Sequence, residues 1–110
     1  MILVDYKATS KKGEVTLDAP WQISYKRQIE IYQWLFRKNG FDVQNIGYFV
    51  YCNGIKENVL FNNELKFKVK IIPHKGDDSS LDKTVKEIYQ VLNSKEITEP
   101  SPNCEYCRYV

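Results

Sequence analysis

The chain is poor in the residues that most often announce a site. One histidine stands among 110 residues, so no Ser–His or Cys–His constellation is recognisable for nucleophilic catalysis. Three cysteines are too few, and odd in number, for a disulfide framework. Five scattered glycines form no phosphate-cradling loop. No run approaches the roughly 20 apolar residues of a membrane span. No secretory leader is visible, since Met1 runs straight into a strand-like segment. The expected setting is therefore cytoplasmic, with no membrane partner. A net charge of +2 is too small to mark a nucleic-acid partner by itself.

What is present suits one α/β domain. Hydrophobic residues make up 43% of the chain and include eight Tyr, five Phe and two Trp, enough for a core. Ile2 to Ala8 reads as a strand, with Ile2, Val4 and Tyr6 on one face and Leu3, Asp5 and Lys7 on the other. Thr9 to Ala19 is polar, a loop with a possible hairpin arm over Glu14–Leu17. Asp18 and Pro20 signal a helix start. From Trp21 to Lys38 the period is helical, through Trp21, Tyr25, Ile29, Tyr32 and Phe36, and Gly40 is placed to cap the end.

Ile46 to Cys52 predicts a buried strand, and Asn53-Gly54 a turn. Leu65 to Ile72 alternates, which predicts Leu65, Phe67, Val69 and Ile71 inward and Lys66, Lys68 and Lys70 outward. Pro73–Asp78 reads as a loop that leaves His74 exposed. Ser79 to Asp82 fits a capping box before an amphipathic helix on Leu81, Val85, Ile88 and Leu92. The order β–α–β–β–α predicts an α/β mixed sheet with helices packed on it, in a single domain over 1–110 with an extended tail at 94–110.

Asp5 and Lys7 are the first candidates for chemistry. Residues i and i+2 of a strand share a face, about 7 Å apart at Cα. The carboxylate can hold a hard cation such as Mg²⁺. The ammonium can stabilise charge building on a phosphate or position an attacking water. The plainer alternative is a surface ion pair worth little. Lys11-Lys12, Lys26-Arg27, Arg37-Lys38 and Lys66/Lys68/Lys70 form basic groups suited to phosphates, although each reads first as a solvated face. Cys104-Glu105-Tyr106-Cys107 is a C-x-x-C: half of a metal site, a redox pair, or neither. Zinc or an iron–sulfur cluster needs about four ligands. Only Cys52, and less plausibly His74, could join Cys104 and Cys107, so a complete site is not expected.

Val4-Asp5-Tyr6-Lys7 resembles the D-x-K form of the third motif of the PD-(D/E)XK nuclease superfamily. Gln28-Ile29-Glu30-Ile31-Tyr32 resembles the Q-x-x-x-Y motif of its RecB-like branch, about twenty residues on and on a helix. The tail, with Pro100, Pro102 and the C-x-x-C, is similar to the tails of many RecB-like nucleases. The resemblance implies a restriction-endonuclease-like fold and Mg²⁺- or Mn²⁺-dependent cleavage of DNA. It implies Asp5 and the Tyr6 backbone carbonyl as metal ligands, and Lys7 as the group that assists the water or stabilises the phosphoryl charge. Gln28 and Tyr32, one helical turn apart, would bond to DNA or orient Lys7.

The family's other carboxylate should precede Asp5, where this sequence has only Met1 to Val4. The expectation is thus an incomplete domain, either the C-terminal portion of a longer nuclease domain or a degenerate remnant. It would be weakly active or inactive alone and prone to self-association through its open edge. The alternative function is an inactive nucleic-acid-binding or scaffold domain of the same fold.

Overall fold

The structure, a computed structural model, describes residues 1–56 and 64–109. Strand β1 spans Val4–Thr9, a short 3₁₀ turn Pro20–Gln22, and helix α1 Ile23–Lys38. Strands β2 (Ile46–Gly54) and β3 (Phe67–Lys75) follow, then helix α2 (Leu81–Leu92) and a 3₁₀ turn at Tyr106–Tyr109. The expected order β–α–β–β–α is the observed one. The chain divides into two compact units, Met1–Asp78 and Ser79–Val110.

The first unit is built on a three-stranded mixed sheet in the order β1-β2-β3. β1 and β2 are parallel, with Val4 beside Tyr48 and Thr9 beside Asn53. Parallel neighbours need a crossover, and α1 lies in that connection. β2 and β3 are antiparallel, with Ile46 opposite Lys75 and Gly54 opposite Phe67.

Helix α1 ends as its sequence predicts. Gly40 takes φ +86°, a conformation that penalises a Cβ. Its N–H donates to the Arg37 carbonyl at 3.0 Å, and the Phe41 N–H donates to the Phe36 carbonyl at 3.1 Å. These are the paired bonds of a Schellman cap, completed by the edge-on contact of the Phe36 and Phe41 rings at 5.5 Å.

The buried face of α1 differs from the predicted stripe. Ile29 and Gln33 are fully buried, while Tyr32 and Phe36 lie on the exposed side of the helix and Trp21, in the 3₁₀ turn before it, is exposed. Ile29 packs with Phe49 and Tyr51 of β2 and with Val15 and Leu17. A Cβ on Gly47 would lie 2.5 Å from Ile29 Cδ1, so glycine lets the helix approach β2 closely. Gln33 is tolerated inside because its amide donates to the Gln44 and Asn45 carbonyls, at 3.2 and 3.1 Å. The Glu14–Leu17 arm is not a strand, yet Val15 and Leu17 seal the core.

The sheet face that meets α1 also departs from the sequence-based reading. Along β2, Gly47, Phe49, Tyr51 and Asn53 are buried. The register sets His74, Ile72, Lys70 and Lys68 of β3 opposite them. Phe67, Val69 and Ile71 therefore lie on the other face and are 49%, 62% and 62% exposed, the reverse of the expected orientation. Two further details are corrected. β2 continues through Asn53-Gly54 instead of turning there, and β3 runs on through Pro73 and His74 to Lys75. Proline is tolerated because, among the described residues, β3 has a strand partner on one side only.

The second unit holds α2 and the tail. Ser80 rather than Ser79 is the N-cap residue, with Asp82 in the first turn. The tail carries its own 3₁₀ turn at Tyr106–Tyr109, and its final residue, Val110, lies outside the described residues. Among the described residues no helix is long and apolar enough to cross a membrane.

Candidate active site

The α1-facing side of β1 presents Asp5 and Lys7, each about one-fifth exposed at the side chain. Lys7 Nζ stands 2.9 Å from Asp5 Oδ2 and donates to Gln28 Oε1 at 2.9 Å. The amide of Gln28 donates in turn to the Tyr32 hydroxyl at 2.9 Å. Residues 28 and 32 are neighbours on the helix surface, so one amide joins the lysine to the phenol. The Tyr25 ring lies beneath Lys7, with the ammonium 4.4 Å from its centroid. Asp5, Lys7, Gln28 and Tyr32, singled out from the sequence, thus form one connected cluster.

Tyr6 is split between its side chain and its backbone. The residue is 74% exposed, with its side chain on the face away from α1. The Leu3 carbonyl accepts from Tyr48 N–H at 3.0 Å. Parallel pairing alternates along the strand, so the Tyr6 carbonyl points to the outer edge of β1, away from β2.

A family model of the PD-(D/E)XK nuclease superfamily matches residues 1–110. The chain belongs to that superfamily. No curated protein and no solved structure gives a match. Membership carries a nuclease-type function, nucleic acid as the class of partner, and the superfamily's general use of divalent ions such as Mg²⁺. The α/β mixed sheet is consistent with the superfamily's restriction-endonuclease-like fold.

The cluster fits a hard cation of the kind the superfamily uses. Asp5 Oδ2 is buried and accepts no hydrogen bond; the Lys7 ammonium beside it is an ion-pair neighbour out of hydrogen-bond alignment. A buried anionic oxygen with lone pairs to spare is a donor for Mg²⁺ or Mn²⁺, which commonly use one or two carboxylates and keep several waters. Among the described residues no group of three His, Cys, Asp or Glu side chains could hold a metal. Asp5 is the carboxylate that the Lys7 ion pair places in the cluster.

Cys104 and Cys107 lie together in the tail, where the Cys107 N–H donates to Cys104 Sγ at 3.3 Å. The Cys107 thiol and backbone hydrogen bonds hold the Cys104 pKa below its usual value, and the same thiol pairing raises that of Cys107. The pair offers two sulfurs, half of what zinc or an iron–sulfur cluster takes.

Two features escaped the sequence reading. Tyr25 was assigned only to the helix stripe; its spacing of three from Gln28 was the available signal. His74, expected in an exposed loop, sits in β3, half-buried beside the Phe49 ring, with Nε2 2.9 Å from Glu30 Oε1. Its place followed from β3 running three residues beyond its apolar alternation.

Proposed function

We propose that this chain contributes the Asp5–Lys7 centre of a metal-dependent DNA nuclease of the RecB-like branch. The observation that supports this most strongly is the relay from Lys7 through Gln28 to Tyr32. It explains why an amide and a phenol stand one turn apart beside a strand lysine. In phosphodiester hydrolysis a water oxygen bonds to phosphorus as a P–O ester bond breaks, and negative charge builds on the phosphoryl oxygens. Lys7, held by Gln28 and stacked on Tyr25, presents a fixed positive charge to that build-up. Gln28 limits the lysine to one rotamer, so little reorganisation accompanies the reaction. Asp5 and the Tyr6 carbonyl are the groups that would hold Mg²⁺ or Mn²⁺, which supplies Lewis-acid stabilisation of the phosphoryl oxygens when bound.

A second reading is favoured because, among the described residues, no group of three His, Cys, Asp or Glu side chains could hold a metal. One acidic ligand binds a divalent ion weakly, and a domain of this fold with weak metal binding would serve as a nucleic-acid-binding or scaffold unit. Cleavage of linear DNA in Mn²⁺ by the native gene product, with whatever sequence precedes Met1, separates the two. Under the first reading Lys7→Ala lowers the rate by at least about 100-fold, and Gln28→Ala by about ten-fold. Salt-dependent DNA binding by the folded protein, with no cleavage of single-stranded or duplex substrates, would establish the second and reduce Asp5 and Lys7 to an ion pair.

A further inference from the structure

One cleft is lined by residues other than Asp5 and Lys7. Its volume is about 680 Å³, and Lys11, Lys12, Lys56, Lys68, Lys70 and Glu14 supply its charged walls. Five lysines against one glutamate leave four positive charges in excess, twice the +2 of the entire chain. The rest of the molecule is accordingly net negative, so the positive field is concentrated at this cleft.

The cleft is also held in shape. Asn53 is 7% exposed, and its amide grips the turn that carries two of the lysines. Oδ1 accepts from the Lys11 N–H at 2.8 Å, and Nδ2 donates to the Lys11 carbonyl at 3.0 Å. Ser10 Oγ donates to the Gly54 carbonyl at 3.0 Å. Lys70 Nζ donates to Glu14 and to the Val15 carbonyl, both at 3.0 Å. A buried amide bonded twice to one backbone residue fixes Lys11 and Lys12 beside the β3 lysines. Lys68 and Lys70 alternate onto one face of β3, about 7 Å apart at Cα.

The register relates the cleft to the candidate site. Lys7 pairs with Tyr51, and Tyr51 with Lys70, so the two lysines share one row across the sheet. Two strand spacings separate them at Cα, about 10 Å. Each strand of a duplex carries a phosphate for about every 3.4 Å of helix axis. The separation is therefore that of phosphates a few nucleotides apart.

We propose that this cleft is a second subsite, one that binds the phosphodiester backbone of a nucleic-acid strand a few nucleotides from the bond presented to Asp5 and Lys7. The inference rests on the nuclease reading for its partner but not on any cleavage step. Such a subsite reads no sequence; it adds affinity and fixes the strand's position.

The test is fluorescence anisotropy with a labelled oligonucleotide, single-stranded and duplex, in EDTA over a range of salt. The double variant Lys11→Gln/Lys68→Gln keeps the Asn53 grip, which uses only backbone atoms of Lys11. It is expected to raise Kd several-fold on every sequence and to reduce the slope of log K against log salt by about 0.7–0.9 per lysine. A control of equal charge loss, Lys86→Gln/Lys95→Gln in the second unit, is expected to leave Kd within two-fold. Unchanged Kd and slope in the cleft variant, or an equal loss in the control, would overturn the subsite. Lys7→Ala retaining full cleavage would overturn the reaction reading and leave this binding measurement intact.

Discussion

On the α1 side of the sheet, β1 presents Asp5 and Lys7, β2 presents Phe49 and Tyr51, and β3 presents Lys70 and His74. On the opposite side the same strands present Val4, Tyr6, Val69 and Ile71, between 47% and 74% exposed. The polar side chains are thus on the covered side and much of the apolar alternation is on the open one. Charged groups are admitted beside a helix when each has a partner: Lys7 has Asp5 and Gln28, and His74 has Glu30. Hydrophobicity alone does not assign the faces of a three-stranded sheet. The positions of the partners do.

The contrast can be broken by truncation on each face. Phe49→Ala on the covered side is expected to cost about 3–5 kcal/mol in urea unfolding, since a fully buried ring leaves a cavity. Ile71→Ala on the open side is expected to cost under about 1 kcal/mol. Equal losses would mean that the open face is covered in solution. The next largest effect concerns the amide inside the core. Gln33→Leu removes the donor to the Gln44 carbonyl and one of the two donors to the Asn45 carbonyl, which still accepts from Gly76 N–H, and should cost about 1–3 kcal/mol, read from the same curves.

The smallest effect sharpens the comparison at its rim. The hydrogen bond and charge of Lys70 hold the Glu14 pKa below its ordinary value of 4.5. A carboxylate whose pKa is lower in the folded state stabilises the fold above the unfolded value. That stabilisation is lost as pH falls through the folded pKa. Glu14→Gln should therefore give a slightly lower Tm near neutral pH, and the difference from wild type should vanish in acid. Because Glu14 is largely exposed, the difference should also shrink in high salt.

Much of this was legible in the residues. The helical period over Trp21–Lys38, the glycine after it and the strand runs were strong local signals, and each element formed. The i, i+2 and i, i+4 spacings alone bring Asp5 to Lys7 and Gln28 to Tyr32, as the structure does. The faces of β3 were not legible, because alternation gives two sets of residues but not which set meets the helix. The pairing of Phe49 with Ile72 decides that, and it is a non-local fact. Gln33 was missed because a polar residue inside a helix face counts as surface until its carbonyl partners are known. Asn53 was read as a turn residue for the same reason: its partner, Lys11, lies 42 positions earlier.

The parallel pairing of β1 with β2 has a consequence for the order of folding. The hairpin of β2 and β3 closes a connection of about 12 residues, whereas joining Val4 to Tyr48 closes one of about 44. The longer closure costs roughly 1 kcal/mol more in chain entropy. It also becomes favourable only once α1 has docked to fill the crossover. β1 is thus expected to join the sheet late, with low φ-values at Val4 and Ala8 and higher ones in the hairpin. Asp5 and Lys7 ride on that strand, so the residues proposed to handle the phosphate come together only as the native state is completed.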